Sequence, residues 1–236
     1  MRAGLSFLFL ALASGPVLAC GWWGDGENSS VDSSIVVDAA GREVESRDPM
    51  QDPALMVRYG DRFRTGQGAP RDLNLAVHWY RLAAERGHPG GQYNLALMYD
   101  IGLGVVQDPA RAVHWYRQAA LQGDVHAQHH LGQMLLDGRG TGRDPRQGVD
   151  WLEAAARQGH AEVFPLVAEA YARGTGVAPD PVAAYRWYWL AAERGDGAAR
   201  QRSGELAGLL DPRQRARARA EAATLAAGWT APQGRP

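Results

Sequence analysis

The sequence predicts an all-α fold, an α-solenoid built from antiparallel helix–turn–helix repeats. Tryptophan recurs at an interval of 36 residues, at positions 79, 115, 151 and 187, and alanine pairs at 83–84, 119–120, 155–156 and 191–192 keep that interval. Glycines and aspartates also follow it, at Gly66, Gly102, Gly138 and Gly174, at Gly68, Gly104, Gly140 and Gly176, at Gly87, Gly123, Gly159 and Gly195, and at Asp72, Asp108, Asp144 and Asp180. Independent positions that share one such period indicate stacked repeats, which bury their apolar faces against one another.

Within each repeat the residues predict two helices joined by a glycine-containing turn. From Tyr93 to Tyr99, apolar side chains recur at helical spacing. Gly102 follows, and a glycine in left-handed backbone conformation commonly ends a helix. Asp108 then predicts the N-cap of the second helix. We assign its packing face to Ala112, Trp115, Ala119 and Ala120, with the tryptophan as the filler between repeats.

The N-terminal segment, residues 1–19, predicts a signal peptide. Arg2 precedes an apolar run over residues 5–13, which is too short to span a bilayer. Cys20 is the only cysteine, and with residues 17–19 it resembles the lipobox of bacterial lipoproteins, in which the cysteine is lipidated. Cleavage after residue 19 by the ordinary signal peptidase is the alternative. Because Gly21 stands where an aspartate would favour inner-membrane retention, we expect a periplasm-facing lipoprotein, with the outer membrane favoured over the inner membrane.

The next segment, residues 20–52, predicts a lipidated cysteine followed by a flexible acidic tether. It is rich in glycine, serine and aspartate, a composition that does not support a packed core. Residues 35–37 and 42–44 have the pattern of a small β-hairpin. Since an isolated hairpin is marginal in water, we expect this stretch to be disordered.

The repeated region, roughly residues 54–196, resembles the Sel1-like repeat, a relative of the tetratricopeptide repeat with a longer turn. The resemblance rests on a pattern that recurs four times and reads, in its clearest copy, Tyr93-x-Leu95-Ala96-x-x-Tyr99-x-x-Gly102-x-Gly104-Val105-x-x-Asp108-x-x-x-Ala112-x-x-Trp115-Tyr116-x-x-Ala119-Ala120-x-x-Gly123. It implies a right-handed α-solenoid with repeats at about 53–88, 89–124, 125–160 and 161–196. Three residues depart from the pattern: Gly148, Leu152 and Pro165. We expect Pro165 to delay or kink the first helix of repeat four.

The C-terminal segment, residues 197–236, predicts capping helices and a tail. Asp211 and Pro212 predict the start of a helix that ends near Trp229, where we expect it to fray. Alternate residues spread around a helix, so the alternating arginines predict a polar cap for the stack and no nucleic-acid partner. An anionic partner is the alternative, for example an acidic polysaccharide, lipid headgroups or the tether itself. The arginines are Arg213, Arg215, Arg217 and Arg219.

The residue inventory of the repeats argues against catalysis. Nucleophilic catalysis needs a nucleophile beside a base, and the chain has no serine, cysteine or lysine between Asp48 and Arg202. The Sel1-like family includes cysteine-rich members reported as β-lactamases, but their paired cysteines are missing from this chain. We therefore expect no enzymatic activity and no cofactor. An envelope hydrolase, or a metal-assisted enzyme, is the alternative.

Three histidines cluster at the start of the first helix of repeat three. His126 and His130 are four residues apart, which is a spacing of metal ligands on a helix, and Glu162 or Asp124 could supply a third ligand. Surface histidines without a ligand role are the commoner case. We therefore predict no metal site. A metal site at this cluster, which also contains His129, is the alternative.

The concave face, which the first helices line in such solenoids, is the predicted binding site. Its side chains lie off the packing positions, so we expect folding not to require them. They mix aromatic, amide, imidazole and charged groups without one dominant sign of charge, which suits a protein partner better than a polyanion. We predict that a protein of the cell envelope binds a monomer there, and a scaffold that polymerises through its ends is the rival. The face comprises Arg58, Asp61, Tyr93, Asn94, Leu97, His129, His130, Gln133, Leu166 and Glu169.

Overall fold

The computed structural model describes residues 35–37, 43–45 and 50–230, and the chain divides into two units at residues 46 and 47. In the first unit, β1 (Ile35–Val37) pairs antiparallel with β2 (Glu43–Glu45). The expectation of disorder is wrong for these residues, because the two β-prone segments align in register and form a ladder. The predicted signal peptide, Cys20 and most of the predicted tether lie outside the described residues.

The second unit is helical, and its helices follow the repeat. The first helices are α1 (Pro53–Thr65), α3 (Pro89–Ile101), α5 (Val125–Asp137) and α7 (Phe164–Arg173). The second helices are α2 (Leu73–Glu85), α4 (Pro109–Leu121), α6 (Pro145–Arg157) and α8 (Pro181–Glu193), and α9 (Gly197–Ala207) and α10 (Pro212–Thr230) follow. Each first helix packs against the second helix of its own repeat, and α3, α5 and α7 also pack against that of the preceding repeat. The predicted fold class, an α-solenoid of helix–turn–helix repeats, is confirmed.

The predicted caps set the ends of the helices. At the start of α4, Asp108 Oδ1 accepts a hydrogen bond from the backbone N–H of Arg111 at 3.0 Å. At the end of α3, Gly102 has a φ of 72° and its N–H donates to the Met98 carbonyl. Both contacts satisfy backbone groups that a helix end leaves unpaired. The aspartates that cap the other second helices do the same: Asp72, Asp144 and Asp180.

The second glycine of each later turn brings that turn against the preceding repeat. Gly140 has a φ of 72°, and a Cβ atom at this position would lie 2.2 Å from the carbonyl oxygen of Pro109. The sequence explained this glycine by its backbone conformation alone, and the structure adds the close approach of the neighbouring repeat. The equivalent glycines make the same approach, Gly104 to Leu73 and Gly176 to Pro145.

The deepest filler between repeats is the residue after the tryptophan, which corrects our assignment of the tryptophan. Tyr116 is fully buried, whereas Trp115 is half-buried and lies at the border of the core. Adjacent residues on a helix point about 100° apart, so only one of the two can point directly at the neighbouring helices. Repeats one and three show the same order, with Tyr80 and Leu152 buried and Trp79 and Trp151 half-buried. In repeat four both residues, Trp187 and Tyr188, are buried.

Repeat four begins differently from the others. By the repeat interval its first helix would start at residue 161, but residues Ala161–Val163 form a 3-10 turn and α7 begins at Phe164. Proline lacks an N–H, and its ring clashes with the carbonyl four residues before it in an α-helix. Pro165 therefore delays the helix, as predicted.

The C-terminal helix α10 packs along α8, with Ala218 and Ala222 fully buried. The expected fraying near Trp229 is wrong. Its ring stacks on Phe164 with the centroids 5.2 Å apart, and its Nε1 donates to the Arg157 carbonyl at 2.8 Å. Gly159 lacks the side chain that would collide with this ring. Within the described part of the chain, no helix has the length and apolar character needed to cross a bilayer.

Candidate partner-binding face

Three of the predicted site residues meet in one group of rings. The ring centroids of Tyr93 on α3 and His130 on α5 are 6.0 Å apart, and His130 stacks on His129 at 5.3 Å. His126 also contacts the ring of Tyr93, at 5.7 Å, and Tyr116 on α4 stacks on His130 at 5.1 Å. We call these five residues the ring cluster.

The ring cluster is packed, which corrects the expectation that folding does not require these side chains. Tyr93 and His130 are half-buried, His129 is nearly buried, and Tyr93 lies against the core of the first repeats. Large rings on successive first helices fill the space between repeats even though they lie off the packing positions. Their removal would therefore affect stability as well as any binding.

The buried histidines of this region are largely uncharged at neutral pH. Burial, and then the neighbouring His130 and His160, lower the pKa of His129 to about 4. Burial also lowers the pKa of His130 and that of His160. Uncharged imidazole rings give this surface no positive charge with which to attract a polyanion.

A second row of predicted residues occupies one register of the first helices: Asp61, Leu97, Gln133 and Glu169. A carboxylate in this register accepts a hydrogen bond from a tyrosine of the second helix. Tyr80 Oη donates to Asp61 at 2.7 Å, and Tyr188 Oη donates to Glu169, which also pairs with Arg173. Burial, and then the bond to Asp61, raise the pKa of Tyr80, which keeps the hydroxyl a donor. Asp61 and Glu169 therefore join the two helices of their own repeats, and their side chains are engaged in the fold.

The middle repeats lack this hydrogen bond. Leu97 cannot accept one, and the hydroxyl of Tyr116 is buried without a hydrogen-bond partner among the described residues. In repeat three, Leu152 replaces the tyrosine, so no hydroxyl faces Gln133 from that position. Leu97 and Gln133 are both half-buried. In this row, Leu97 and Gln133 are the residues whose side chains accept no hydrogen bond from a tyrosine of the second helix.

The remaining predicted residues share another register, that of His130. Arg58 is exposed on α1, and Asn94 is half-buried on α3. Leu166 on α7 packs against the core of the last repeats. Asn94 therefore lies next to Tyr93 in a position that combines partial exposure with a polar side chain. We call Tyr93, Asn94, Leu97, His129, His130 and Gln133 the first-helix face.

The repeats also share a polar bridge that was not predicted from the sequence. Gln122 Nε2 donates to Gln92 Oε1 of its own repeat at 2.8 Å and to the Gly87 carbonyl of the preceding repeat at 2.9 Å. Gln158 makes the equivalent bonds, to Gln128 and to Gly123. The return of both glutamines after 36 residues was the available sign of this pairing. An ion pair adds to this bridge: the guanidinium of Arg139, which is exposed, lies 3.2 Å from the buried Asp100 carboxylate of the preceding repeat.

Comparison with known families agrees with the repeat that the geometry shows. The Sel1 repeat model matches residues 53–88, 89–124, 125–160 and 166–196. The chain belongs to the Sel1 repeat family. The fourth match starts directly after Pro165, where α7 takes up the regular pattern again. Sel1 repeat proteins are generally protein-interaction scaffolds, and the family is typically non-enzymatic.

Two solved structures of Sel1 proteins resemble this chain. A Sel1 repeat protein from Oxalobacter formigenes is 32% identical, with a TM-score of 0.64, over 68% of this chain and 66% of that protein. The c5321 protein, a protective antigen of uropathogenic Escherichia coli strains with the same repeat fold, is 25% identical, with a TM-score of 0.50, over 75% of this chain and 47% of that protein. The chain thus spans less than two thirds of either. No curated protein matches it.

Two of the four cap arginines, Arg217 and Arg219, make contacts within α10 and with α8. Arg219 Nε donates to the hydroxyl of Tyr185 at 2.8 Å, and Arg217 pairs with Glu221, also at 2.8 Å. Glu221 in turn binds Arg186 of α8. The contacts of Arg219 and Glu221 join α10 to α8 of repeat four, as a capping helix requires.

Proposed function

We propose that this chain is a non-catalytic scaffold of the bacterial cell envelope that binds a protein partner on its first-helix face. The row of neutral, partly exposed rings formed by Tyr93, His129 and His130 carries the proposal. Protein interfaces favour such groups, because aromatic rings bury much apolar surface with few rotatable bonds. Asn94, Leu97 and Gln133 flank the rings with amide and aliphatic groups.

The residue inventory supports a binding role over catalysis. Residues 49–201 contain no serine, cysteine or lysine, so the usual nucleophiles are missing from the whole repeat region. The hydroxyl of Tyr116 is buried. Those of Tyr80 and Tyr188 donate to carboxylates, and the pKa of each of these three hydroxyls is raised, by burial first. They are therefore poor candidates for a nucleophile or a base at neutral pH.

Site-specific photocrosslinking in cells tests the location of the partner. A photoreactive phenylalanine analogue at Asn94 or at Gln133 is expected to give a covalent adduct with one envelope protein, because both positions lie on the first-helix face. The matched controls are Asn74 and Gln118, which are exposed on the second helices α2 and α4. Adducts from the control positions alone would refute the proposed face.

We further propose that lipid on Cys20 holds the scaffold at a membrane facing the periplasm, with the outer membrane favoured. The Cys20→Ser variant is expected to leave the membrane fraction or to remain unprocessed, because serine cannot form the thioether. Labelling with a palmitate analogue checks this, since wild type should be labelled and the variant should not. Unlabelled wild-type protein would refute lipid attachment without affecting the proposed binding face.

A further inference from the structure

His160 stands in an N-cap position but does not cap a helix. The residue before each first helix is the N-cap, and the side chains at positions 52, 88, 124 and 196 accept hydrogen bonds from backbone N–H groups of the following turn. His160 occupies the same register before repeat four, but its side chain makes no cap bond. The delayed start of α7 explains this, because a 3-10 turn follows His160 in place of an α-helix.

The ring of His160 faces α5 instead. His160 Nε2 lies 3.1 Å from His129 Nδ1, and both side chains are nearly buried, with exposed fractions of 11% and 12%. Glu162 reaches the same point from the 3-10 turn. Its Oε2 lies 3.9 Å from His129 Nδ1 and 3.7 Å from His160 Nε2, and its side chain is 77% exposed. Three ligand atoms of two chemical types therefore converge within 4.8 Å of one another.

The geometry points to a binding site for a divalent transition-metal ion, with Zn²⁺ as the type, formed by His129, His160 and Glu162. Imidazole nitrogen and carboxylate oxygen are the ligands that zinc takes in protein sites. With metal–nitrogen bonds of about 2.0–2.1 Å, two nitrogens of a tetrahedral site lie roughly 3.3 Å apart. The observed separation of 3.1 Å is close to this value. Glu162, which is exposed, can move inward by the small distance that remains.

Two further features show how the ion would be held. His129 Nδ1 faces the site, while its Nε2 is buried without a hydrogen-bond partner among the described residues, so Nδ1 is the nitrogen that would bind the ion. The three residues leave the fourth position of a tetrahedral site to solvent or to a group of a bound partner. The ion would join α5 to the first turn of repeat four, at the joint that Pro165 makes irregular.

The corresponding positions one repeat earlier show why the site forms here. They are Tyr93, Asp124 and His126. Asp124 caps α5 by accepting a bond from the Ala127 N–H at 2.8 Å, and a tyrosine stands in place of His129. The sequence had suggested His126 and His130 as the ligand pair, but both of these rings lie against Tyr93. In the structure the two histidines whose ring nitrogens converge are His129 and His160, which are 31 residues apart. Glu162, which the sequence had offered as a third ligand, lies beside them.

Calorimetric titration of the purified full-length protein, without a histidine tag, with Zn²⁺ alone tests the site. Wild type is expected to bind one equivalent. His160→Ala is expected to weaken binding at least about 100-fold and Glu162→Gln about 10-fold, since even supporting groups of metal sites contribute 10–100-fold. The matched controls are His114→Ala and Glu193→Gln, which change exposed residues of second helices and should bind as wild type does.

Circular dichroism of each variant separates loss of the site from loss of the fold. If His160→Ala does not fold, Glu162→Gln decides the question, because it alters only an exposed side chain. Zinc should also raise the melting temperature of wild type, and less so that of Glu162→Gln. The proposal is overturned if wild type binds no stoichiometric zinc, if folded site variants bind as tightly as wild type, or if the controls lose as much affinity. None of these outcomes depends on the partner-binding face.

Discussion

Replacing Gly140 with alanine is expected to lower the free energy of unfolding by more than about 4 kcal/mol, or to prevent folding. Two effects add at this position. Alanine in left-handed backbone conformation costs about 1–2 kcal/mol. Its Cβ would also lie 2.2 Å from the Pro109 carbonyl oxygen, which belongs to the backbone of the preceding repeat and cannot rotate away. The turn would have to separate from repeat two, and such losses are rare among single substitutions.

The matched control is Gly68→Ala in the turn of repeat one. Gly68 has a similar φ of 76°, but its Cβ would meet only the flexible side chain of Arg62, at 3.1 Å. We therefore expect a loss of about 1–2 kcal/mol, from backbone strain alone. Denaturant unfolding followed by circular dichroism compares the two variants. Equal losses would mean that close stacking of repeats does not require the glycine at position 140.

The features that depend on local sequence were predictable. The interval of 36 residues gave the number of repeats, and the aspartate and glycine positions gave the helix ends, because caps act on backbone groups within a few residues. Pro165 likewise predicted a delayed helix, since its effect is confined to the preceding turn.

The features that depend on distances between repeats were not predictable in the same way. A period cannot show whether Trp115 or Tyr116 faces the neighbouring helices, and it gave no sign that Trp229 returns to Phe164. The pairing of His129 with His160 had one available sign, since His160 stands in the N-cap register of the repeat that contains Pro165. The histidine in the same register of repeat two, His88, does cap its helix, so only the observed start of α7 shows that His160 does not.

The exposure of the predicted face residues could be foreseen only in part, for a related physical reason. Subtracting the packing stripe of one helix pair leaves residues that appear free, but the next repeat covers some of them. Tyr93 and His130 are partly covered in this way, and Glu169 accepts a hydrogen bond from Tyr188. Asn94 and Gln133 remain as positions that can be changed with little effect on the core.

Partner capture by charged variants of the first-helix face tests the scaffold role most directly. The double variant Asn94→Arg/Gln133→Arg is expected to weaken capture of the crosslinked envelope protein by 2 kcal/mol or more, on the order of 30-fold, because two unpaired charges would enter the interface. Its unfolding free energy should change by less than about 1 kcal/mol, since both positions lie outside the buried core.

The matched control is Asn74→Arg/Gln118→Arg, which places the same two charges on the second helices. Affinity measured with the purified partner, by calorimetry or surface plasmon resonance, compares the two double variants with wild type. A first-helix face that binds the partner predicts a loss of about 30-fold or more for the first double variant and wild-type affinity for the control. Full affinity in the first variant, with loss in the control, would place the partner on the opposite helices and contradict the proposed function.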